Sequence, residues 1–461
     1  MKHFHLGIAL ALFACGMLPA IADPTPPIMP RVQETPLPPA VELPAPATLP
    51  ADLPNRPLTA EEAAQIALHT QPSVTIAQLG VIAAQGRRQQ AKSGLLPTVG
   101  ASAGYTSVFD GTSAPAGLGS EGYNVSASIK QLLFDFSHTR YVVQQSVALE
   151  RAATANLTKV QSDLVLQVKQ AFYQYVQNQH LVTVNEANVR STQEHLNVAQ
   201  ARVKAGVGLP VDVVRAETSV ADAIFSLNLA RNTASISRVN LALFMGIDPR
   251  TPLQTAETDE PEIAADNPEA LVKTALQQRP EVLQAQATIQ ASQQGVGAAR
   301  TSNAPALVGI AGVGQHGTNF PPDQPASGIG VAVQWNPFDS GLSAGRVQEA
   351  KANLLAAQQQ LIAANLAIVS DVSQSYINLK TAEQRVVTAD AEVANAQEAL
   401  RLAQGRYQAG LGVFLDVLDA QTALLTAQTN RINTQASVNQ ARASLAHAIN
   451  SRFATPQPAV K

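Results

Sequence analysis

Asp416 and Asp419 lie three residues apart in the segment LDVLDAQT. On a helix that spacing puts both carboxylates near one face. Several copies gathered around one opening would make a ring that attracts cations and repels anions. The simpler alternative is a solvated helix face with an aspartate in its first turn, where the helix dipole favours it. A third carboxylate, Asp212, holds the matching place in a related stretch, VDVVRAET. Beyond these the chain offers little chemistry. Its eight histidines are scattered, with no pair at metal-ligand spacing beside a carboxylate, so neither a metal nor a cofactor is expected. Gly295-Val296-Gly297 lies in a helical pattern and lacks the rest of a dinucleotide fingerprint. No phosphate-binding loop or nucleophile elbow occurs, and no catalytic constellation supports an enzyme.

The carboxylates belong to a repeat. Residues 199–218 read AQARVKAGVGLPVDVVRAET and residues 403–422 read AQGRYQAGLGVFLDVLDAQT, with ten of twenty positions identical at an offset of 204. Each copy shows a long helical pattern, a break at Gly-x-Gly (Gly206 and Gly208; Gly410 and Gly412), and a second helical pattern. Such self-similarity marks a chain built twice from one unit.

Composition narrows the class. Aromatics are 4% and charged residues 14% of 461 residues, so helices can approach closely but a large globular core is hard to build. Net charge is −3 without a basic block, which argues against nucleic acid as a partner. After the N-terminus no run reaches the ~18 apolar residues of a membrane-spanning helix, so any membrane crossing falls to strands. Residues 1–22 read as a secretory signal: Lys2, an apolar stretch from Leu6 to Leu18, and Ala20-Ile21-Ala22 for cleavage. Cys15, the one cysteine, lies inside it, so the mature chain has no disulfide. Cys15-Gly16 also fits a lipidation site, against which stand Phe13 and a short apolar run.

Residues 23–57 form a Pro-rich, extended tether. Repeat 1 spans 58–250. It opens with a capping box, Thr59 and Glu62. Pro72 breaks this first helix and Ser73 opens the next, to about Ser93. After Pro97 the period changes from 3.6 to 2, giving strands at about 98–108 and 122–133 around a loop rich in Gly, Ser and Pro. A helix from about 137 to 205 follows, 69 positions or ~100 Å. Residues 251–266 are an acidic connector, and repeat 2 spans 267–450, with strands at about 306–316 and 328–336 and a second 69-position helix at about 341–409. Residues 451–461 are expected to be a disordered tail. The fold class is therefore mainly α with membrane β, a two-fold internal repeat with four strands. Proline is expected to fix the strand–helix bends at Pro97, Pro305 and Pro337. Four strands cannot close in lipid, because open edges leave backbone groups unsatisfied. Three chains would supply twelve strands, an even number in the outer-membrane range, and the long helices would form a helical cylinder continuous with the barrel.

At this point the residues resemble a known family. The opening LTAEEAAQIALHTQPSV, the strand entry LLPTVGASAGYT, the strand exits LFDFSHTR and PFDSGLSAGR, and the doubled AGxG…DV turns are similar to the TolC family of outer-membrane efflux proteins, from about Leu58 to Asn450. The resemblance implies a homotrimer in the outer membrane of a Gram-negative bacterium. It implies a twelve-stranded barrel, a periplasmic helical tunnel with a belt of shorter segments halfway along, and a closed tip. It implies a passive duct that works with a periplasmic adaptor and an inner-membrane pump of RND, ABC or MFS type to export drugs, toxic compounds or metals. It places the gating tyrosine at Tyr407, the entrance carboxylates at Asp416 and Asp419, and the first repeat's gate carboxylate at Asp212. The tips Gly206, Val207, Gly208, Leu209 and Gly410, Leu411, Gly412, Val413 become contacts for the adaptor. In well-known members an arginine after the second tip glycine ties the gate shut; here that position is Gly412, so the latch is absent in that form.

A duct for secreted protein, as in type I secretion, fits the same residues. A periplasmic adaptor would carry one hairpin rather than two, and a coiled-coil adhesin would carry its membrane anchor at one end of the chain.

Overall fold

The computed structural model describes residues 57–107, 121–256, 258–263 and 267–450. The signal segment with Cys15, nearly all of the tether, most of the first strand-to-strand loop, part of the connector and the tail lie outside the described residues.

Two runs of elements follow one another with matching lengths. Helices α1 (Ala60–Thr70) and α2 (Pro72–Ser93) correspond to α5 (Pro268–Gln278) and α6 (Pro280–Thr301) at 11 and 22 residues. Helices α3 (His138–Lys204) and α4 (Pro210–Phe244) correspond to α7 (Leu342–Gln408) and α8 (Phe414–Ala448) at 67 and 35 residues. A 67-residue helix is ~100 Å long, beyond what a single globular core needs. The capping box forms as expected: the Thr59 hydroxyl accepts from the Glu62 N–H, and a Glu62 carboxylate oxygen accepts from the Thr59 N–H. The second helix starts one residue earlier than Ser73. Pro72 takes the first helical position, where its missing N–H costs nothing, and Gln71 is the N-cap. Gln71 and its counterpart Arg279 reach the same place in each copy: Gln71 Nε2 donates to the carbonyls of Leu243 and Phe244, and Arg279 donates to the carbonyl of Ala448.

Four strands, β2 (Thr98–Ser107), β3 (Glu121–Phe134), β5 (Ala306–Gly317) and β6 (Gln324–Gln334), form one antiparallel sheet in the order β2-β3-β5-β6. The two-residue strands β1 (Pro57–Leu58) and β4 (Gln254–Thr255) pair in parallel beside the short helices. In the large sheet the rung Val99, Ile129, Ala311, Ile329 lies on one face, and the rung Gly100, Ser128, Gly312, Gly328 on the other. One face is thus apolar and the other lined by glycine and serine. Tyr105, Tyr123 and Phe320 stack at one end, with centroids 4.8 and 5.4 Å apart, while Phe134 and Phe136 pair at the other. Strand β6 differs from expectation. It begins at Gln324, running through Pro325, and ends before Trp335. As an edge strand it tolerates the missing donor of Pro325, and the Trp335 indole instead donates to the carbonyl of Asn303.

Proline accounts for only part of the bends. Pro97 and Pro305 immediately precede β2 and β5. The exits are made by aspartate and a pair of left-handed residues: Phe136 and Ser137 in one copy, Ser340 and Gly341 in the other. Asp135 accepts from the Thr139 N–H at 2.7 Å and Asp339 from the Ser343 N–H at 2.8 Å, capping each long helix from outside. Helix α7 also holds one 18-residue window of mean hydropathy 1.2, apolar enough by length and composition to cross a membrane, where the sequence reading expected no such run. Only 11% of that window is buried within the chain.

The core is split. One apolar cluster joins α1, α3 and the end of α4 around Phe172, Leu241 and Met245; a second joins α5, α7 and α8 around Val372, Leu379 and Leu445. Between α3, α8 and the connector lies a buried polar network. Lys169, only 2% exposed, donates to Glu260 at 2.5 Å. The Tyr173 hydroxyl donates to the same carboxylate at 2.7 Å, Asn439 accepts from the Glu260 N–H, and Arg442 donates to the Glu260 carbonyl. Burial pushes the Tyr173 phenol well above its ordinary value, and the Glu260 charge adds to it. On the same helix, burial would raise the Asp163 carboxyl, but bonds from His447 and Lys159 outweigh it and hold it at about 2.

Two tests follow. Lys169→Met leaves Glu260 buried without its ammonium partner and should destabilise the fold by about 3 kcal/mol; K169M/E260Q should recover most of the loss in a thermal melt followed by circular dichroism. Because Asp163 is depressed in the folded state, its contribution is present above the ordinary carboxylate range and fades as pH falls from about 4 to about 2. Melting temperatures of D163N and the parent chain should therefore converge across that window.

Candidate functional site: the helical tip

Both Gly-x-Gly breaks are helix C-caps of one design. In the first, the Gly206 N–H donates to the Val203 carbonyl and the Val207 N–H to the Arg202 carbonyl, the paired bonds of a Schellman motif. The second repeats it with Gly410 to Tyr407 and Leu411 to Arg406. Gly206 and Gly410 both sit at φ +74°, where a side chain would be strained. Gly208 answers a different need: a Cβ there would lie 2.8 Å from the Val203 nitrogen, so only glycine lets the chain fold back against the last helical turn. Leu209 and Val413 then serve as extended N-caps for α4 and α8. Val207, Leu209, Leu411 and Val413 are left exposed.

Behind the turns the copies stop matching. Tyr407 is 6% exposed and packs on Phe414, ring centroids 5.3 Å apart. Its hydroxyl donates to Asp212 Oδ2 across a long 3.4 Å, and Asp212 is itself buried at 7% exposure. Burial raises the Tyr407 phenol, and the Asp212 charge raises it further. The guanidinium of Arg202 lies over the Tyr407 ring, 4.7 Å from its centroid, and Nη1 donates to the Gln408 carbonyl at 3.1 Å. Arg202 Nε is buried and makes no hydrogen bond. Ala199, Ala216, Leu400 and Val417 close the cluster.

The structure therefore brings Tyr407 and Asp212 together and keeps Asp416 and Asp419 apart from them. Those two are exposed on α8, while Val417 between them is buried. Sequence reasoning missed Arg202, although the signal was there: the repeated stretch carries arginine four residues before the first glycine in both copies, Arg202 and Arg406. Arg202 comes from the first repeat and sets its cation on the second repeat's Tyr407. Reasoning from sequence also missed Lys169, Tyr173 and Glu260, whose partners are distant in the chain. No cluster of metal-ligating side chains is present among the described residues.

Known proteins share the fold. The outer membrane efflux protein family matches residues 63–247 and 271–451, the two runs of elements just described. The outer membrane efflux protein BepC of Brucella suis is 25% identical over 330 residues, 70% of this chain and 71% of its own. The outer membrane protein TolC of Escherichia coli is 23% identical over 367 residues, 75% of this chain and 73% of its own. The solved structure of the outer membrane protein VceC from Vibrio cholerae superposes with a TM-score of 0.73 at 22% identity, covering 85% of this chain and 95% of that one. All three are outer-membrane proteins, and BepC is an efflux protein. A strand sheet with one apolar face, run on into paired long helices, is the build of an outer-membrane efflux channel, and the outer membrane is where this chain resides. The chain belongs to the outer membrane efflux protein family.

If Arg202 holds α3 against α7, Arg202→Ala removes a cation–π contact and a charged hydrogen bond, together worth about 1–2 kcal/mol. Amide hydrogen exchange around residues 405–413 should speed up by about tenfold. Tyr407→Phe, which keeps the ring under Arg202 and loses the hydroxyl with its long bond to Asp212, should change exchange much less.

Proposed function

We propose that three copies of the chain close a twelve-stranded barrel in the outer membrane and that their long helices continue it as a tunnel into the periplasm. The observation that carries this is the sheet: one apolar face, one glycine- and serine-lined face, and two strand edges, β2 and β6, with no partner in the sheet. In lipid those edges must be paired. Twelve strands is an even number within the range of such barrels. The aromatic groups at the two ends of the sheet suit the two membrane interfaces.

The duct is passive. It exports small molecules delivered by an inner-membrane pump through a periplasmic adaptor, and the exposed apolar tips at Val207, Leu209, Leu411 and Val413 are where the adaptor docks. Tyr407, Asp212 and Arg202 hold the tip shut within each chain. Asp416 and Asp419, exposed on one face of α8, line the entrance; three copies place six carboxylates around it and favour cations.

Detergent-extracted protein should sediment and scatter light as a trimer and conduct across planar bilayers with a preference for cations. D416N/D419N should move the reversal potential in a salt gradient at least halfway back toward zero. A chain that is monomeric without detergent and inserts no channels would overturn the proposal.

A further inference from the structure

The two copies of the unit do not have the same neighbours. Within the chain α6 packs between α7 and α3, while its counterpart α2 packs on α3. The difference is written in burial. On α6, Ala287, Ala291 and Ala298 are buried, Ala291 to 3%. Their equivalents on α2, at an offset of 208, are Leu79, Ala83 and Gln90, and all three are exposed, Leu79 at 36%. On α3, Ala148 and Ala152 are buried; their equivalents on α7, at an offset of 204, are Ala352 and Ala356, both exposed. One half of the unit's own interface is thus made inside the chain, and the same half is left open on α2 and α7.

We infer that this open half is filled by a second copy of the chain in the register of the internal α3–α6 interface, so that α7 of one chain packs on α2 of the next with Gly345 against Gln89 and Glu349 against Arg87. The inference rests on the trimer proposed above and adds its residue pairing. Inside the chain, Gly297 on α6 makes the notch for Tyr141 on α3: a Cβ at Gly297 would fall 2.6 Å from the tyrosine ring. Transposed by 208 and 204 residues, the large and small partners exchange sides. Gln89 takes the place of Gly297, and Gly345 takes the place of Tyr141. Gly345 has nothing within 4 Å of where its Cβ would be, leaving room for that side chain. The neighbouring contact behaves alike. Gly295 lies 3.1 Å, Cβ to Nε2, from Gln145. Its transposed pair is Arg87 and Glu349, opposite charges that are both exposed in the single chain.

The strands agree with the helices. Internally β3 pairs with β5 so that Ile129 meets Ala311 and Ala127 meets Val313. The same shift sets β6 against β2 of the next chain with Val333 on Ala103 and Val331 on Tyr105. Every one of these residues belongs to the apolar face, so the register closes the sheet without turning a polar row toward lipid. A slip by one residue would.

The test uses the full chain, whose one native cysteine is Cys15. In the internal pair a Cβ at 297 lies 2.9 Å from Tyr141 Cγ, one bond from its Cβ, which is within disulfide reach. Chains carrying Q89C are co-expressed with chains carrying G345C, so that a disulfide between the two sites can only join separate chains. A covalent dimer on a non-reducing gel, absent when either variant is expressed alone and lost on reduction, is the expected result. As a second readout, R87E and E349R should each lower the temperature at which the trimer dissociates by several degrees, and R87E/E349R should restore it. A trimer by light scattering that gives no Q89C–G345C disulfide, and in which the double reversal melts no higher than the single ones, overturns this pairing and leaves the proposed function standing. Protein that is never a trimer overturns both.

Discussion

A backbone N–H or C=O at a sheet edge must be hydrogen-bonded, and lipid offers nothing to bond it. That constraint governs this chain. It folds into a four-stranded sheet whose β2 and β6 edges stay open and whose one face is apolar. Neither feature is stable alone in a bilayer, and neither makes sense in water. Both are explained if the chain is one part of a closed ring. The helices inherit the same incompleteness: α2 and α7 present exposed faces whose alanine-rich equivalents on α6 and α3 are covered.

The two copies agree in their helices, whose lengths match residue for residue, and in the bends and the glycine caps, while the strands differ by a few residues. They part at the tip. Asp212 is buried under Tyr407, while its counterpart Asp416 is exposed; Arg202 lies over an aromatic ring, while its counterpart Arg406 is exposed. The asymmetry follows two positions, Phe414 in place of Pro210 and Tyr407 in place of Val203. Tyr407 stands where the first repeat has Val203, and only the tyrosine can stack on the guanidinium and reach the carboxylate. Valine offers neither.

Most of the fold was legible because local rules decide it. The capping box at Thr59, the prolines at 72, 97, 280 and 305, the period change after Pro97 and the Gly-x-Gly breaks each act within a few residues, and helix ends fell within a residue or so of expectation. Strand β6 was misplaced where Pro325 looks like a loop residue; its tolerance there depends on being at an edge, which is a property of the sheet. The exits were attributed to proline, whereas aspartate caps and left-handed pairs make them. The site was less legible for a similar reason. Tyr407, Asp212, Asp416 and Asp419 came from repeat position and family resemblance. Arg202 acts across 206 residues of sequence on the Gln408 carbonyl, and no local rule reports such a contact.

The distribution of strength along the helices bears on how such a tip could move. Midway, Lys169, Tyr173, Glu260, Asn439 and Arg442 form a buried network that joins α3, the connector and α8. Removing any one member strands charge or polar atoms away from water, so the network holds together or fails together. At the tip the links are a stacked cation, one carbonyl bond and a 3.4 Å hydroxyl contact, with Arg202 Nε already unsatisfied. Elements that move are drawn from the low-stability end of a structure. A small-residue helical scaffold with few aromatics has a thin core, and it gains rigidity where polar groups are buried and fully paired. If the tip gates as proposed, the absence of such a network there leaves α7 freer to shift against α3 at the tip than α8 is midway along, where Lys169, Glu260 and Arg442 tie it to α3.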